Sequence, residues 1–194
     1  MLKALTRYYY FGYCLLFLLC CLTLYTHTLK YPFIRLDDDY FVEHNPAIKS
    51  LDAESIKHLF VSDHRDFRYF PVTYLSLAID QAIWGNEAYH YRLTNVALHF
   101  LNTCLLFFLV TALFKNRLVA ALTALLFCIH PLQVESVVWV MSRKNVLFLF
   151  FFLLSWLAYI RSCKPDKPLR QLWYLLALLL FALAAMSKTT AVVL

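Results

Sequence analysis

The stretch RLTNVALHFLNTCLLFFLVTALFK, from Arg92 to Lys115, decides the fold class because no charged side chain lies between its two basic ends. A helix needs about 20 mostly apolar residues to cross the hydrocarbon core of a bilayer. The 22 residues enclosed here meet that length. The sequence therefore predicts a transmembrane helix at its centre.

Four further apolar stretches lie between charged residues: Arg7–Lys30, Arg117–Glu135, Lys144–Arg161 and Arg170–Lys188. His130 and Pro131 interrupt the second of these, so we expect its helix to end near His130. The composition agrees, with 62% hydrophobic residues, 15% charged residues and a mean hydropathy of +0.62. An average soluble domain is about 45–50% apolar and about 25% charged. The predicted fold is all-α, a multi-pass transmembrane helical bundle of about five spans.

The predicted spans divide the chain into residues 1–30, a first transmembrane helix; residues 31–91, a loop with amphipathic helices; and residues 92–194, four further spans. No cleavage site follows the first apolar run, which favours an uncleaved helix over a signal peptide. In the loop, Asp52 is suited to cap a short helix, and Pro71 and Gly85 bound a second one. We expect this second helix to lie along the outer leaflet with its apolar stripe in the lipid. The apolar ending SKTTAVVL looks like a truncation inside a larger protein.

Basic residues concentrate on one predicted side of the membrane. Eight of them share that side with one acid, Asp166: Lys3, Arg7, Lys115, Arg117, Arg161, Lys164, Lys167 and Arg170. The positive-inside rule then places the N-terminus in the cytoplasm. The loop of residues 31–91 would face the periplasm, most simply at a bacterial inner membrane, or an organelle lumen. The net charge of +6 follows from this topology, so we expect the lipid bilayer as a partner and no nucleic acid.

The six cysteines are Cys14, Cys20, Cys21, Cys104, Cys128 and Cys163. The first five lie inside apolar runs, and neither a C-x-x-C pair nor a matching histidine cluster accompanies them. The spacing supports no disulfide framework and no zinc site. We expect free thiols that act as small hydrophobic side chains.

Polar clusters recur at the outer ends of the predicted spans. Four clusters lie there: Asp37, Asp38 and Asp39 after the first span; Tyr89, His90 and Arg92 at the start of the second; HPLQVESVVWVMSRKN (His130–Asn145) between the third and fourth; and Ser187 and Lys188 near the end of the fifth. Because the spans alternate in direction, these clusters can converge on one face of the bundle. Neighbouring carboxylates can serve as a general base, and Arg or Lys at the membrane surface can bind a lipid-linked phosphate.

Two other interpretations of these clusters stay open. The aspartates can be a solvated stop after the first span, with the basic residues as interface anchors. A metal site built from Asp37, Asp38 and His44 is a weaker alternative. The proposed chemistry requires no metal cofactor and is compatible with a divalent ion.

Several segments together resemble a known family: FIRLDDDYFVEHNP, YFPVTYLS, WGNEAYHYRLTNVALH, HPLQVESVVWVMSRKN and MSKTTAVVL. They resemble the N-terminal part of bacterial multi-pass proteins whose membrane domain precedes tetratricopeptide (TPR) repeats. These are related to the transmembrane and TPR-containing O-mannosyltransferases, members of the GT-C class of membrane glycosyltransferases. The resemblance implies a partial GT-C fold and transfer of a sugar from a polyprenyl-phosphate donor to a hydroxyl group on a protein or glycan acceptor.

Matching the motifs residue by residue implies three sets of site residues. Asp37 and Asp38 would be catalytic, and His130 and Glu135 would position the reactants. The donor phosphate would be bound by Arg92, Arg143, Lys144 and Lys188. Asn145 stands where the family has an aspartate, which either served donor binding or only capped the helix. The alternative function is a non-catalytic membrane scaffold of a TPR-containing protein, and we expect the fragment to be inactive alone.

Overall fold

The computed structural model describes residues 2–35, 37–61, 69–164 and 169–188. Within these ranges every regular element is a helix, which confirms the all-α prediction. The α-helices are α1 (Leu2–Tyr25), α2 (Ala53–Val61), α3 (Pro71–Trp84), α4 (Ala88–Phe114), α5 (Arg117–Ile129), α6 (Leu132–Val138), α7 (Arg143–Ser162) and α8 (Arg170–Ser187). Short helical turns cover Thr26–Lys30, Asp39–Glu43, Pro46–Ile48 and Val140–Ser142.

Four helical stretches are long and apolar enough to cross a membrane: Tyr9–Lys30, Ala88–Phe114, Val140–Ser162 and Arg170–Ser187. The pair α5 and α6 makes a fifth candidate that is bent by 63°. The prediction of about five spans is therefore confirmed. The break lies at His130, whose backbone is extended because Pro131 follows it. Helix α4 begins at Ala88, one turn before Arg92, so Arg92 lies inside the helix rather than at its edge.

Helix α4 is the centre of the bundle. It packs against α1 and α5 on one side and against α7 on another, while α7 and α8 form a helical hairpin. Phe17 and Phe107 meet the small side chains of Ala120 and Ala124 in the contact between α1, α4 and α5. Small residues let helix backbones approach closely in a membrane.

The segment before α4 forms a second apolar core at one end of the bundle. Val42, Ile48, Leu59 and Leu77 pack there together with Met141 from the turn before α7. Two sequence predictions for this segment are confirmed. Asp52 caps α2 by accepting a hydrogen bond from the backbone N–H of Ser55 at 2.7 Å, and α3 ends at Gly85, whose φ is +76°.

Helix α3 exposes the C-terminal part of its predicted apolar stripe, while Val72 at its start is buried. Its apolar residues Ile79 and Ile83 are 43% and 60% exposed, whereas Thr73 and Asp80 are buried. The reason is that the neighbouring helices supply polar partners: Thr73 donates a hydrogen bond to the carbonyl of Ser187 at 2.9 Å. The polar face of α3 therefore packs on protein, and its apolar face points outward.

Candidate active site

Asp38 is fully buried and connects the segment between α1 and α2 to the turn before α7. One carboxylate oxygen accepts the backbone N–H of Met141 at 2.8 Å, and the other accepts that of Ile34 at 3.2 Å. The Arg92 guanidinium lies close enough to stabilise the carboxylate electrostatically. Burial nevertheless outweighs these contributions and raises the pKa of Asp38.

The raised pKa predicts how Asp38 contributes to stability as the pH changes. A carboxyl whose folded-state pKa lies above its unfolded value of about 3.9 stabilises the fold most at low pH, and the contribution declines as the pH rises through the folded value. The difference in melting temperature between the wild type and Asp38→Asn, measured in detergent, should therefore be largest near pH 4 and shrink towards neutrality. Because both proteins are measured at the same pH, the effects of all other titrating groups on the melting temperature cancel in the difference. A gap that widens with rising pH would show that the N–H donors and Arg92 outweigh burial.

Arg92 is completely buried and binds three backbone carbonyls. Its Nε donates to Val138 at 2.9 Å and one Nη to Pro32 at 2.6 Å. The other Nη donates to the carbonyl of Tyr31. Arg92 thus fastens the chain that leaves the first span to the end of α6.

Arg143 is also completely buried, at the first position of α7. It forms an ion pair with Asp80 of α3, with Nη2 and Oδ2 2.6 Å apart. Further hydrogen bonds go to the Ser76 hydroxyl, the Tyr91 carbonyl and the Asn95 side chain. The sequence assigned Arg92 and Arg143 to the donor phosphate, but in the structure both guanidinium groups are bound by protein groups.

The three consecutive aspartates have different environments. Asp37 is half-buried, Asp38 is buried and Asp39 is exposed. Asp39 forms an ion pair with His44 at 2.7 Å. The metal alternative grouped His44 with Asp37 and Asp38, whereas the structure groups it with Asp39 and Glu43, with one ligand atom of each within 4.8 Å of the others.

Lys144 and Lys188 both lie at the N-terminal end of α3. The Lys144 ammonium is 5.6 Å from the ring centre of Phe70, the residue before the helix. Lys188 follows Ser187, whose carbonyl binds Thr73 in the first turn. This helix end has no side-chain capping hydrogen bond. The Lys144 ammonium beside a helix N-terminus, with the backbone of Lys188 close to the same end, forms a suitable environment for a phosphate group.

His130 and Glu135, the predicted positioning residues, are exposed at the break between α5 and α6. Nδ1 of His130 accepts the backbone N–H of Leu132 at 3.2 Å. Asn145 donates to the Ser136 hydroxyl at 3.3 Å, so it connects α7 to α6 in the position of the family's aspartate.

Two important polar residues escaped the sequence analysis. Asp80 was assigned no role in the predicted amphipathic helix, and Asn95 lay inside a predicted membrane span. The Asn95 amide donates to the carbonyls of Val137 and Trp139, at 3.2 and 3.1 Å. The sequence did indicate that these two residues have polar partners, because an amide or a carboxylate within or beside a membrane span needs one.

The arrangement can be compared with known proteins. The model of the family described as dolichyl-phosphate-mannose-protein mannosyltransferase matches residues 36–194. The chain belongs to this family. The matched residues include all of the predicted site residues, from Asp37 to Lys188.

Similar curated proteins carry the same kind of name. Protein O-mannosyl-transferase TMTC1 of Mus musculus is 29% identical over 187 residues, which cover 87% of this chain and 19% of that protein. TMTC2 of Mus musculus is 31% identical over 163 residues, covering 78% of this chain and 19% of that protein. The chain thus spans about a fifth of the length of these mannosyltransferase relatives. No solved structure matches the chain significantly.

Proposed function

We propose that this chain supplies the catalytic carboxylate and the donor-phosphate site of an O-mannosyltransferase-like membrane enzyme. The donor would be a polyprenyl-phosphate-linked sugar, and the acceptor a hydroxyl group on a protein or glycan at the outer face of the membrane. One observation carries the proposal. Asp38 binds the backbone at Met141, three residues before Lys144, and the Lys144 ammonium lies near the N-terminal end of α3, where Ser187, the residue before Lys188, contacts Thr73.

The reaction follows from these groups. The acceptor oxygen attacks the anomeric carbon of the sugar and forms the new C–O bond. Its proton passes to a carboxylate, while the bond between the anomeric carbon and the phosphate oxygen breaks with its electron pair on the phosphate. A base contributes about 10²–10⁴-fold to such a step. Cations around the leaving phosphate stabilise its developing charge.

The proposed roles differ between neighbouring residues. Asp37 is the general base, because its half-buried carboxylate can be reached, while buried Asp38 holds the loop and its electrostatic environment in place. Lys144 and Lys188 bind the phosphate. Arg92 and Arg143 position the helices that carry these groups, and the exposed His130 and Glu135 contact the sugar or the acceptor.

The surroundings suit a lipid-linked donor. The outward face of α3 exposes Ile79, Ile83 and Trp84, which lie in the C-terminal half of the helix, more than two turns from its N-terminal end. An exposed apolar helix face can hold the prenyl chain within the bilayer while the phosphate binds at the membrane surface.

A membrane scaffold without catalysis is the second candidate. The observation that favours it is the structural use of Asp38, Arg92 and Arg143, whose polar atoms bind protein groups. In that case the same motifs would serve folding alone, and the downstream part of the protein would carry the function.

The test is sugar transfer by the full-length protein, with a polyprenyl-phosphate mannose donor and a serine- or threonine-containing peptide. Asp37→Asn should lower kcat by about 100-fold or more, because the proton acceptor is lost. Lys188→Met should raise the KM for the donor, since a phosphate contact is lost.

The matched control is Lys164→Met, which removes an exposed lysine just beyond the opposite end of α7. It should leave transfer unchanged. Transfer at the wild-type rate by Asp37→Asn would refute the assignment of the base. A wild-type protein that inserts correctly and never transfers sugar would favour the scaffold.

A further inference from the structure

Three helices of the bundle bring two thiols and an imidazole together. Cys21 belongs to α1, His99 to α4 and Cys128 to α5, and all three are fully buried. The two sulfur atoms are 3.4 Å apart. One ligand atom from each of the three residues lies within 4.8 Å of the others. The residues are far apart in sequence, which is why their spacing gave no indication of a site.

One ring nitrogen of His99 has no hydrogen-bond partner among the described protein atoms. Nε2 lies 3.0 Å from the carbonyl oxygen of Cys128, and because a carbonyl only accepts, Nε2 carries the proton. Nδ1 is then a buried lone pair without a hydrogen-bond partner in the described residues. A buried polar atom without a partner is costly, so it points to a missing ligand. A histidine whose other nitrogen donates to a carbonyl is typical of a metal ligand.

The surroundings of the imidazole exclude water. The Tyr25 ring meets it edge-on with the ring centres 5.5 Å apart, and the Phe127 ring lies at 5.1 Å. Val96, Val137 and Val146 complete the apolar cluster around Cys21 and Cys128. A bound water molecule needs two to four polar partners, and this cluster is largely apolar, so an ion held by sulfur and nitrogen suits it better.

We propose that Cys21, His99 and Cys128 bind a zinc ion that connects α1, α4 and α5. Soft thiolate ligands favour Zn²⁺ or Cu⁺ over hard cations such as Mg²⁺ and Ca²⁺. Zn²⁺ matches the charge of these ligands better than Cu⁺ does, because two thiolates neutralise a divalent ion and the neutral imidazole adds no charge. A net charge of zero is the least costly state inside an apolar bundle.

The geometry needs little adjustment. Zinc–sulfur bonds of about 2.3 Å at a tetrahedral angle separate two sulfurs by about 3.8 Å, so the pair must widen by about 0.4 Å. Structural zinc sites have four ligands; Cys21, His99 and Cys128 supply three of them, and a neutral fourth ligand keeps the net charge of the site at zero. On binding, each cysteine loses its thiol proton to solvent and forms a sulfur–zinc bond.

The site would be structural. It lies among the spans, whereas the proposed active site lies at the end of the bundle around Asp38 and α3. By joining three helices, the ion would fix the packing of α1, which otherwise contacts the bundle mainly through apolar side chains.

The experiment measures zinc in the full chain, purified in detergent without a metal-affinity step. We expect about one zinc per chain in the wild type and in Cys163→Ser, which removes the exposed cysteine. Cys128→Ser and Cys21→Ser should each lower the zinc content by about tenfold. Exchange of zinc for Co²⁺ in the wild type should give a thiolate-to-cobalt charge-transfer absorption, a readout that does not depend on any variant folding.

Each other outcome overturns the proposal. A wild-type chain that binds neither Zn²⁺ nor Co²⁺, with both thiols free, would identify the cluster as ordinary packing. A Cys21–Cys128 disulfide found by mass spectrometry would assign the pair to redox chemistry. Preferential retention of copper would replace the zinc assignment. Equal zinc contents in Cys128→Ser and Cys163→Ser would place the metal elsewhere.

Discussion

Replacement of Asp80 by alanine is expected to lower the free energy of unfolding by about 3–5 kcal/mol, the range for breaking a buried ion pair. Asp80 is the only carboxylate among the described partners of Arg143, and the guanidinium is completely buried. The change therefore leaves an uncompensated charge between α3, α4 and α7. Thermal or denaturant unfolding in detergent micelles measures the effect.

The double variant Asp80→Leu/Arg143→Met isolates the cause. Replacing both members of a buried ion pair with apolar residues is often close to neutral. Here Asn95 and the Tyr91 carbonyl also lose their partner, so we expect recovery of part of the loss. Glu135→Ala removes an exposed carboxylate and should change stability by less than about 0.5 kcal/mol. A loss below about 1 kcal/mol in Asp80→Ala would mean that the guanidinium finds another partner or water.

The spans were predictable from the sequence because their cause is local. An uncharged apolar stretch of about 20 residues is a sufficient condition for a membrane helix, and charged residues mark its ends. The break at His130 and the boundaries of α3 followed from proline and glycine, whose backbone restrictions are equally local. The start of α4 was missed by a turn because Arg92, which the sequence predicts at the edge of the span, is charged and yet buried inside the helix.

The site was only partly predictable because side-chain partners depend on packing. The alternating spans correctly placed Asp38, Arg92 and Arg143 at one end of the bundle. Their use could not be read from the sequence: the same arginine can bind a ligand phosphate or a backbone carbonyl, and only neighbouring helices decide between them. The inward polar face of α3 has the same origin, since Asp80 faces Arg143 rather than water. Cys21, His99 and Cys128 meet through tertiary packing alone.

Arg92→Leu should have an effect as large as the loss of Asp80, about 3–5 kcal/mol of unfolding free energy. The substitution leaves the carbonyls of Pro32 and Val138 without their donor and the buried Asp38 carboxylate without its nearby cation. Arg92→Lys keeps the charge but loses the planar fork of donors, so it should recover only part of the stability. Unfolding of the three proteins in the same detergent gives the comparison.

Two further measurements show whether replacing Arg92 destabilises only its surroundings or the whole fold. Hydrogen exchange should become faster at the Ile34 and Met141 amides, whose acceptor is Asp38, than at amides in the middle of α7. Adding Asp38→Asn to Arg92→Leu should cost less than the sum of the single changes, because the unpaired carboxylate is removed as well. Strictly additive losses would show that Arg92 acts through the carbonyls alone. Sub-additive losses would identify Asp38 and Arg92 as one electrostatic unit that holds the segment between α1 and α2, and with it Asp37, against the start of α7.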